Sequence, residues 1–140
     1  MSEENVEIVR GLYEEWDAGL ERGDFGANFD LEALADDYEW IVPEGFEGGR
    51  TVWRGREEFV EFFRTWTEDF EDWSVRVERL IDAGDDRVVA LTLQSATGKE
   101  SGARVEWHMG QVQELKDGRL IRTWNYFTQA EALEAAGLSE

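Results

Sequence analysis

His108 is the only histidine in the chain, and its side-chain type ordinarily titrates near neutrality, so proton transfer is the first chemistry it offers. Glu106 precedes it by two positions, which puts both on one side of any strand that holds them. There a carboxylate could orient the imidazole or act as a second acid–base group. Asp117-Gly118 stands between two runs of strand formers, and an Asp-Gly pair suits the type I′ turn of a two-residue hairpin. Pairing Lys116 with Arg119 and stepping outward puts His108 opposite Phe127 and Gly110 opposite Asn125. Glu106, His108, Gly110 and Val112 then share a face with Ile121, Thr123, Asn125 and Phe127, and the Asn125 amide could bind a carbonyl or enolate oxygen. Such a set suits proton abstraction beside a carbonyl, aldol-type cyclisation or dehydration. The plainer reading is that a lone histidine is a hydrogen-bonded structural residue, Glu106 a solvated carboxylate at the rim, and Asn125 a partner for buried backbone groups.

The opposite hairpin face carries Val105, Trp107, Met109 and Leu115 with Leu120, Trp124 and Tyr126. Large apolar groups on both faces call for a sheet covered on both sides. Upstream, Val6, Val9, Tyr13, Trp16 and Leu20 predict an amphipathic helix over Glu3–Arg22, capped by Ser2 and ended by Gly23-Asp24. Asp30 can cap a second short helix through Leu31, Leu34 and Ala35. A strand over Tyr38–Val42 closes at Pro43 and directs Trp40 with Tyr38 and Val42 to one side. A loop over 44–50 and a short strand at Thr51–Trp53 follow. A third helix after Gly55 carries Phe59, Phe62, Phe63, Trp66 and Phe70 on one stripe, whose burial is worth a few kcal/mol per ring. Burial alone explains the spacing of Trp16, Trp66 and Trp73. Strands at Trp73–Ala83 and Val88–Ala96, turning at Gly84-Asp85-Asp86, lead through a loop over 97–102 into the hairpin. Thr128 to Glu131 reads as a capping box for a terminal helix that stops at Gly137. The element order gives an α+β domain over 1–140, with helices on one face of a mostly antiparallel sheet. Leaving the other face bare would expose a large apolar patch, so a homodimer through that outer face is expected.

Composition removes whole classes of function. The chain has 140 residues and no cysteine, so thiolate chemistry and cysteine metal sites are out. A single histidine and carboxylates without calcium-loop spacing give no metal site. The formal charge of −19 opposes nucleic acid and anionic membranes. The excess of acid reads as a solvated surface, with a halophilic source as the alternative. The N-terminus lacks a leader pattern and no window suits a membrane span, so a cytoplasmic location is expected. Gly48-Gly49 and Gly98 lack the strand, loop and helix context of a phosphate or dinucleotide fingerprint, and no cofactor is expected.

Several motifs occur in a telling order: EENVEIVR at positions 3–10, Gly23-Asp24, ADDYEW at 35–40, RGRE at 54–57, KDGR at 116–119 and EALEAAGL at 131–138. Together they resemble the SnoaL-like branch of the nuclear transport factor 2-like, or ketosteroid isomerase-like, superfamily over essentially the whole chain. The resemblance implies a cone: a curved, mostly antiparallel β-sheet wrapped over N-terminal helices with a short C-terminal helix, enclosing a pocket, and dimers through the outer sheet face. It also implies that His108, Glu106 and Asn125 face the pocket as catalytic candidates. Trp16, Trp40, Val42, Phe63, Gly110, Thr123 and Phe127 would be the ligand-binding residues. The steroid-isomerase carboxylate base corresponds to Val42, and its oxyanion donors to Trp16 and Gly110; none of these can do that work. Arg104 and Arg122 lack the aspartates of the epoxide-hydrolase arrangement.

The sequence thus predicts a small-molecule pocket, working either as a cofactor-free cyclase, isomerase or lyase with His108 as acid–base or as a ligand-binding protein without chemistry. A purely structural dimeric role is the third reading.

Overall fold

The computed structural model describes residues 2–22, 31–44 and 50–138. The elements run α1 (Ser2–Arg22), a 3₁₀ turn (Leu31–Ala33), β1 (Leu34–Ile41), β2 (Val52–Arg54), α2 (Gly55–Asp69), β3 (Phe70–Gly84), β4 (Arg87–Gly98), β5 (Arg104–Lys116), β6 (Arg119–Tyr126) and α3 (Gln129–Ala135). The six strands form one sheet in the order β2-β1-β6-β5-β4-β3, antiparallel throughout except for β1 against β6. This is the α+β cone that the sequence predicts.

Local chemistry accounts for most boundaries. Asp117 and Gly118 both take positive φ, 52° and 80°, as a type I′ turn requires. Thr128 and Glu131 make the reciprocal capping box at the start of α3. Two stretches differ in element type from the sequence reading. Leu34 and Ala35 open β1 where a second helix was expected, and Phe70 opens β3 instead of ending α2. The proposed cap at Asp30, the Gly23-Asp24 stop, the Ser2 cap and the placement of the Leu20 and Trp66 side chains lie outside what is described.

A larger correction concerns the hairpin register. Lys116 pairs with Arg119 and Leu115 with Leu120, but Glu114 then pairs with Arg122, leaving Ile121 as the extra residue of a bulge. One residue of slip exchanges the faces of β5 relative to β6. Gly110 therefore lies opposite Tyr126, and Gln111 opposite Asn125.

The concave face of β5 and β6 consequently carries Trp107, Met109, Gln111 and Gln113 with Thr123 and Asn125. Its convex face carries His108, Gly110 and Val112 with Arg122, Trp124 and Tyr126. The helices are also split. Val9, Leu12, Tyr13 and Trp16 of α1 and Phe59, Phe62 and Phe63 of α2 pack on the concave side, whereas Ala132 and Leu133 of α3 join Val89, Leu91 and Val112 on the convex side. Because α3 covers the middle of the convex face, the apolar patch left for a partner is smaller than the sequence predicts, and Trp107 and Met109 do not belong to it.

Candidate functional site

The concave face and the two long helices enclose a cavity of about 70 Å³. Its wall is aromatic. Phe63 sits at the hub, with ring centroids 5.2 Å from Trp16, 5.1 Å from Trp40 and 5.5 Å from Trp73. A β-bulge after Glu71, with Asp72 at φ 51°, turns the Trp73 ring inward. Trp107, Met109 and Phe127 complete the lining, and Phe127 is 51% exposed. Beneath, a smaller space of about 20 Å³ is walled by Tyr13, Tyr38, Gln113 and Thr123 and shares Trp16 and Trp40 with the first. A roomier groove of about 370 Å³ between α1 and β3 is open and lined by mixed charges, including Arg10, Glu14, Arg76 and Glu78, so it encloses nothing.

The polar groups at this wall form one directed hydrogen-bond chain. The Ile41 carbonyl can only accept, and it takes a bond from Asn125 Nδ2 at 2.8 Å. Asn125 Oδ1 must therefore face a donor, and accepts from Gln111 Nε2 at 2.5 Å. Gln111 Oε1 in turn accepts from the Tyr13 hydroxyl. Tyr13 accepts from Gln113 Nε2 at 2.8 Å, Gln113 Oε1 accepts from Thr123 Oγ1, and Thr123 pairs with the Tyr38 hydroxyl as its donor. Burial pushes both phenols above the ordinary tyrosine range, and the hydrogen bonds to Gln113 and Thr123 only partly oppose it. Both remain neutral donors. A separate link joins Trp73 Nε1 to Gln94 Oε1 at 3.3 Å, with Gln94 Nε2 donating to Thr92 Oγ1 at 3.3 Å.

Of the residues predicted from sequence, Trp16, Trp40, Val42, Phe63, Asn125 and Phe127 meet at the cavity. Thr123 lies one layer deeper. The other three do not join them. Gly110 faces α3, so close that a Cβ there would fall 2.3 Å from Ala132 Cβ. Glu106 is exposed. His108, with its side chain 61% exposed on the convex face, pairs through Nδ1 with Glu78 Oε1 at 3.0 Å. The same Glu78 oxygen accepts from Gln129 Nε2 at 2.8 Å; the Gln129 bond first and the His108 bond second hold its carboxyl below the usual range.

Gln94, Gln111 and Gln113 are the polar residues that sequence reasoning missed, while Tyr13 and Tyr38 read there as inward-facing but not as hydrogen-bonding groups. The glutamines' one available signal was uncharged polar side chains alternating with Val112 and Leu93 inside strands, which suggests a polar but enclosed face.

A family model described as the SnoaL-like domain matches residues 9–123. The chain belongs to the SnoaL-like family. Among solved structures, an NTF2-like protein of unknown function from Burkholderia pseudomallei K96243 is 25% identical with a TM-score of 0.74, covering 94% of this chain and 95% of that one. TerC, crystallised with polyporic acid, is 21% identical with a TM-score of 0.73, over 96% of this chain and 98% of its own. A candidate SnoaL-like polyketide cyclase from Jannaschia sp. CCS1 is 20% identical with a TM-score of 0.71, over 89% and 85%. The latter two share the fold. A search of curated proteins returned no match. Among the described residues no helix is long and apolar enough to cross a membrane, and no cluster of three or more His, Cys, Asp or Glu could hold a metal.

Proposed function

We propose that this SnoaL-like protein binds a small, largely apolar, neutral oxygenated molecule by aromatic enclosure and carboxamide hydrogen bonds, without an acid–base residue in contact with it. One observation carries this reading: every polar side chain lining the cavity among the described residues is a carboxamide or an indole, none of which titrates near neutrality. With His108 and Glu106 outside the pocket, the two titratable groups of the catalytic expectation are gone, and of its three residues Asn125 alone lines the cavity. Titration calorimetry with small neutral monocyclic ketones and hydrocarbons tests the reading. Saturable binding that disappears in Met109→Trp, with the fold retained by circular dichroism, supports it; binding that survives the filled cavity, or none at all, overturns it.

A second reading keeps catalysis, favoured by the directed chain that aligns amide N–H groups along one wall. Such a wall could stabilise a developing enolate oxygen while the cavity holds a reactant folded for ring closure. Turnover that falls in Gln111→Leu would support it.

The partner expected at the outer face is retained as a proposal on a narrower base. Val52, Ile41 and Trp124 stand in register across β2, β1 and β6 and are half-buried. Sedimentation should show a dimer that dissociates in Trp124→Glu.

A further inference from the structure

Phe70 and Trp73 both pack into the concave core, yet three positions of regular strand would send them to opposite faces. The extra residue is Asp72. With Glu71 opposite Thr97 and Ser74 opposite Ser95, Asp72 and Trp73 together face the single Ala96. A regular strand running on from Phe70 would put Trp73 and Val75 outside and Asp72 and Ser74 in the core. The bulge is therefore what directs Trp73 inward, where it is 5% exposed and bonded to Gln94.

Asp72 takes φ 51°, a left-handed conformation that glycine adopts freely and aspartate at a cost. Something must hold it there. Arg104, on the convex face of β5 opposite Thr97, sends Nη1 to the Asp72 carbonyl at 2.8 Å and to Thr97 Oγ1 at 3.2 Å, and Nη2 to Ser95 Oγ at 2.7 Å. Ser95 and Thr97 flank Ala96, so one planar guanidinium ties the carbonyl of the bulged residue to both sides of the residue it stands against.

We infer that Arg104 is a positioning residue for the cavity: from the opposite face of the sheet it locks the Asp72 bulge and thereby fixes Trp73 as part of the inner wall. Trp73 also meets Phe63, with 5.5 Å between ring centroids, so a slip at the bulge would reach the hub of the aromatic wall. The lock needs no guest in the cavity and stands or falls apart from the binding role.

Fluorine NMR of the intact chain labelled with fluorotryptophan tests it, the Trp73 signal being the one lost in Trp73→Phe. In the native chain that signal should not move when light water is replaced by heavy water, because the ring is buried. In Arg104→Met it should gain a solvent shift. Asp72→Gly removes an exposed side chain and the cost of the positive φ. Alone it should leave the Trp73 signal as in the native chain, and combined with Arg104→Met it should restore it. If Arg104→Met by itself fails to fold, recovery of the fold in the double variant counts equally in favour. A Trp73 signal in Arg104→Met identical to the native one overturns the assignment, and so does a double variant that behaves like Arg104→Met.

Discussion

Gly110 on β5 lies directly beneath Ala132 of α3, with room for a hydrogen and none for a methyl: a Cβ on Gly110 would stand 2.3 Å from the Ala132 Cβ and 3.4 Å from the Gln129 Cα. The glycine sets how closely the terminal helix docks on the convex face. Gly110→Ala should lift α3 and cost about 1–3 kcal/mol, the range for overpacking. Calorimetric melting measures the loss. Pairing it with Ala132→Gly should recover part of the loss, because the clash involves that methyl.

Breaking the directed chain at its middle should cost more than an ordinary surface change. Gln111→Leu leaves the Tyr13 hydroxyl and the Asn125 oxygen buried without their partners, and an orphaned buried polar group costs about 1–3 kcal/mol. Urea denaturation should show the midpoint falling with the slope unchanged.

His108→Ala should change little. The pair with Glu78 is exposed on both sides, and solvent screening leaves such pairs little weight in stability. A melting temperature and a ligand affinity indistinguishable from those of wild type are the expected results. A tenfold loss of binding or turnover would return the histidine to the site.

Acid stability should depend on Glu39. It bridges Arg54 Nε at 2.9 Å and Arg122 Nε at 2.9 Å, and Arg122 continues to Glu114 at 3.0 Å. The Arg54 bond first and the Arg122 bond second hold the Glu39 carboxyl below its ordinary range. A depressed folded-state value means the unfolded chain takes up the proton first, so the contribution is present above the unfolded value, about 4.3, and fades as pH falls through the folded one. Glu39→Gln should lower stability at pH 6 and flatten the decline below about pH 4.5. Melting temperatures across that range check the sign.

How legible each part was follows from how local its cause is. The Asp117-Gly118 turn, the Thr128/Glu131 cap and the Phe59, Phe62 and Phe63 part of the α2 stripe are set by residues within one or two turns of one another and appear as read, whereas Phe70, read as the end of that stripe, opens β3. The hairpin faces hinge on the bulge at Ile121, which no neighbouring residue announces. Ile121 has ordinary strand propensity, and its exclusion from pairing becomes visible only in the way both strands meet the helices. That single slip carried His108 out of the pocket and Gln111 into it. Gln94, Gln111 and Gln113 escaped notice for another reason: an amide has no titration and no motif, and its burial shows only through partners such as Tyr13, far away in sequence.

The aromatic wall has an optical consequence. Among the described residues, Trp16, Trp40, Trp73 and Trp107 border the cavity, and the Trp16 and Trp40 rings stand 5.7 Å apart at 75°. Transitions on chromophores this close and this fixed couple, so the near-ultraviolet dichroism should carry a band belonging to the ring pair. A guest that changes its angle or quenches its emission would be reported by the protein's own indoles, without a label and from inside the cage.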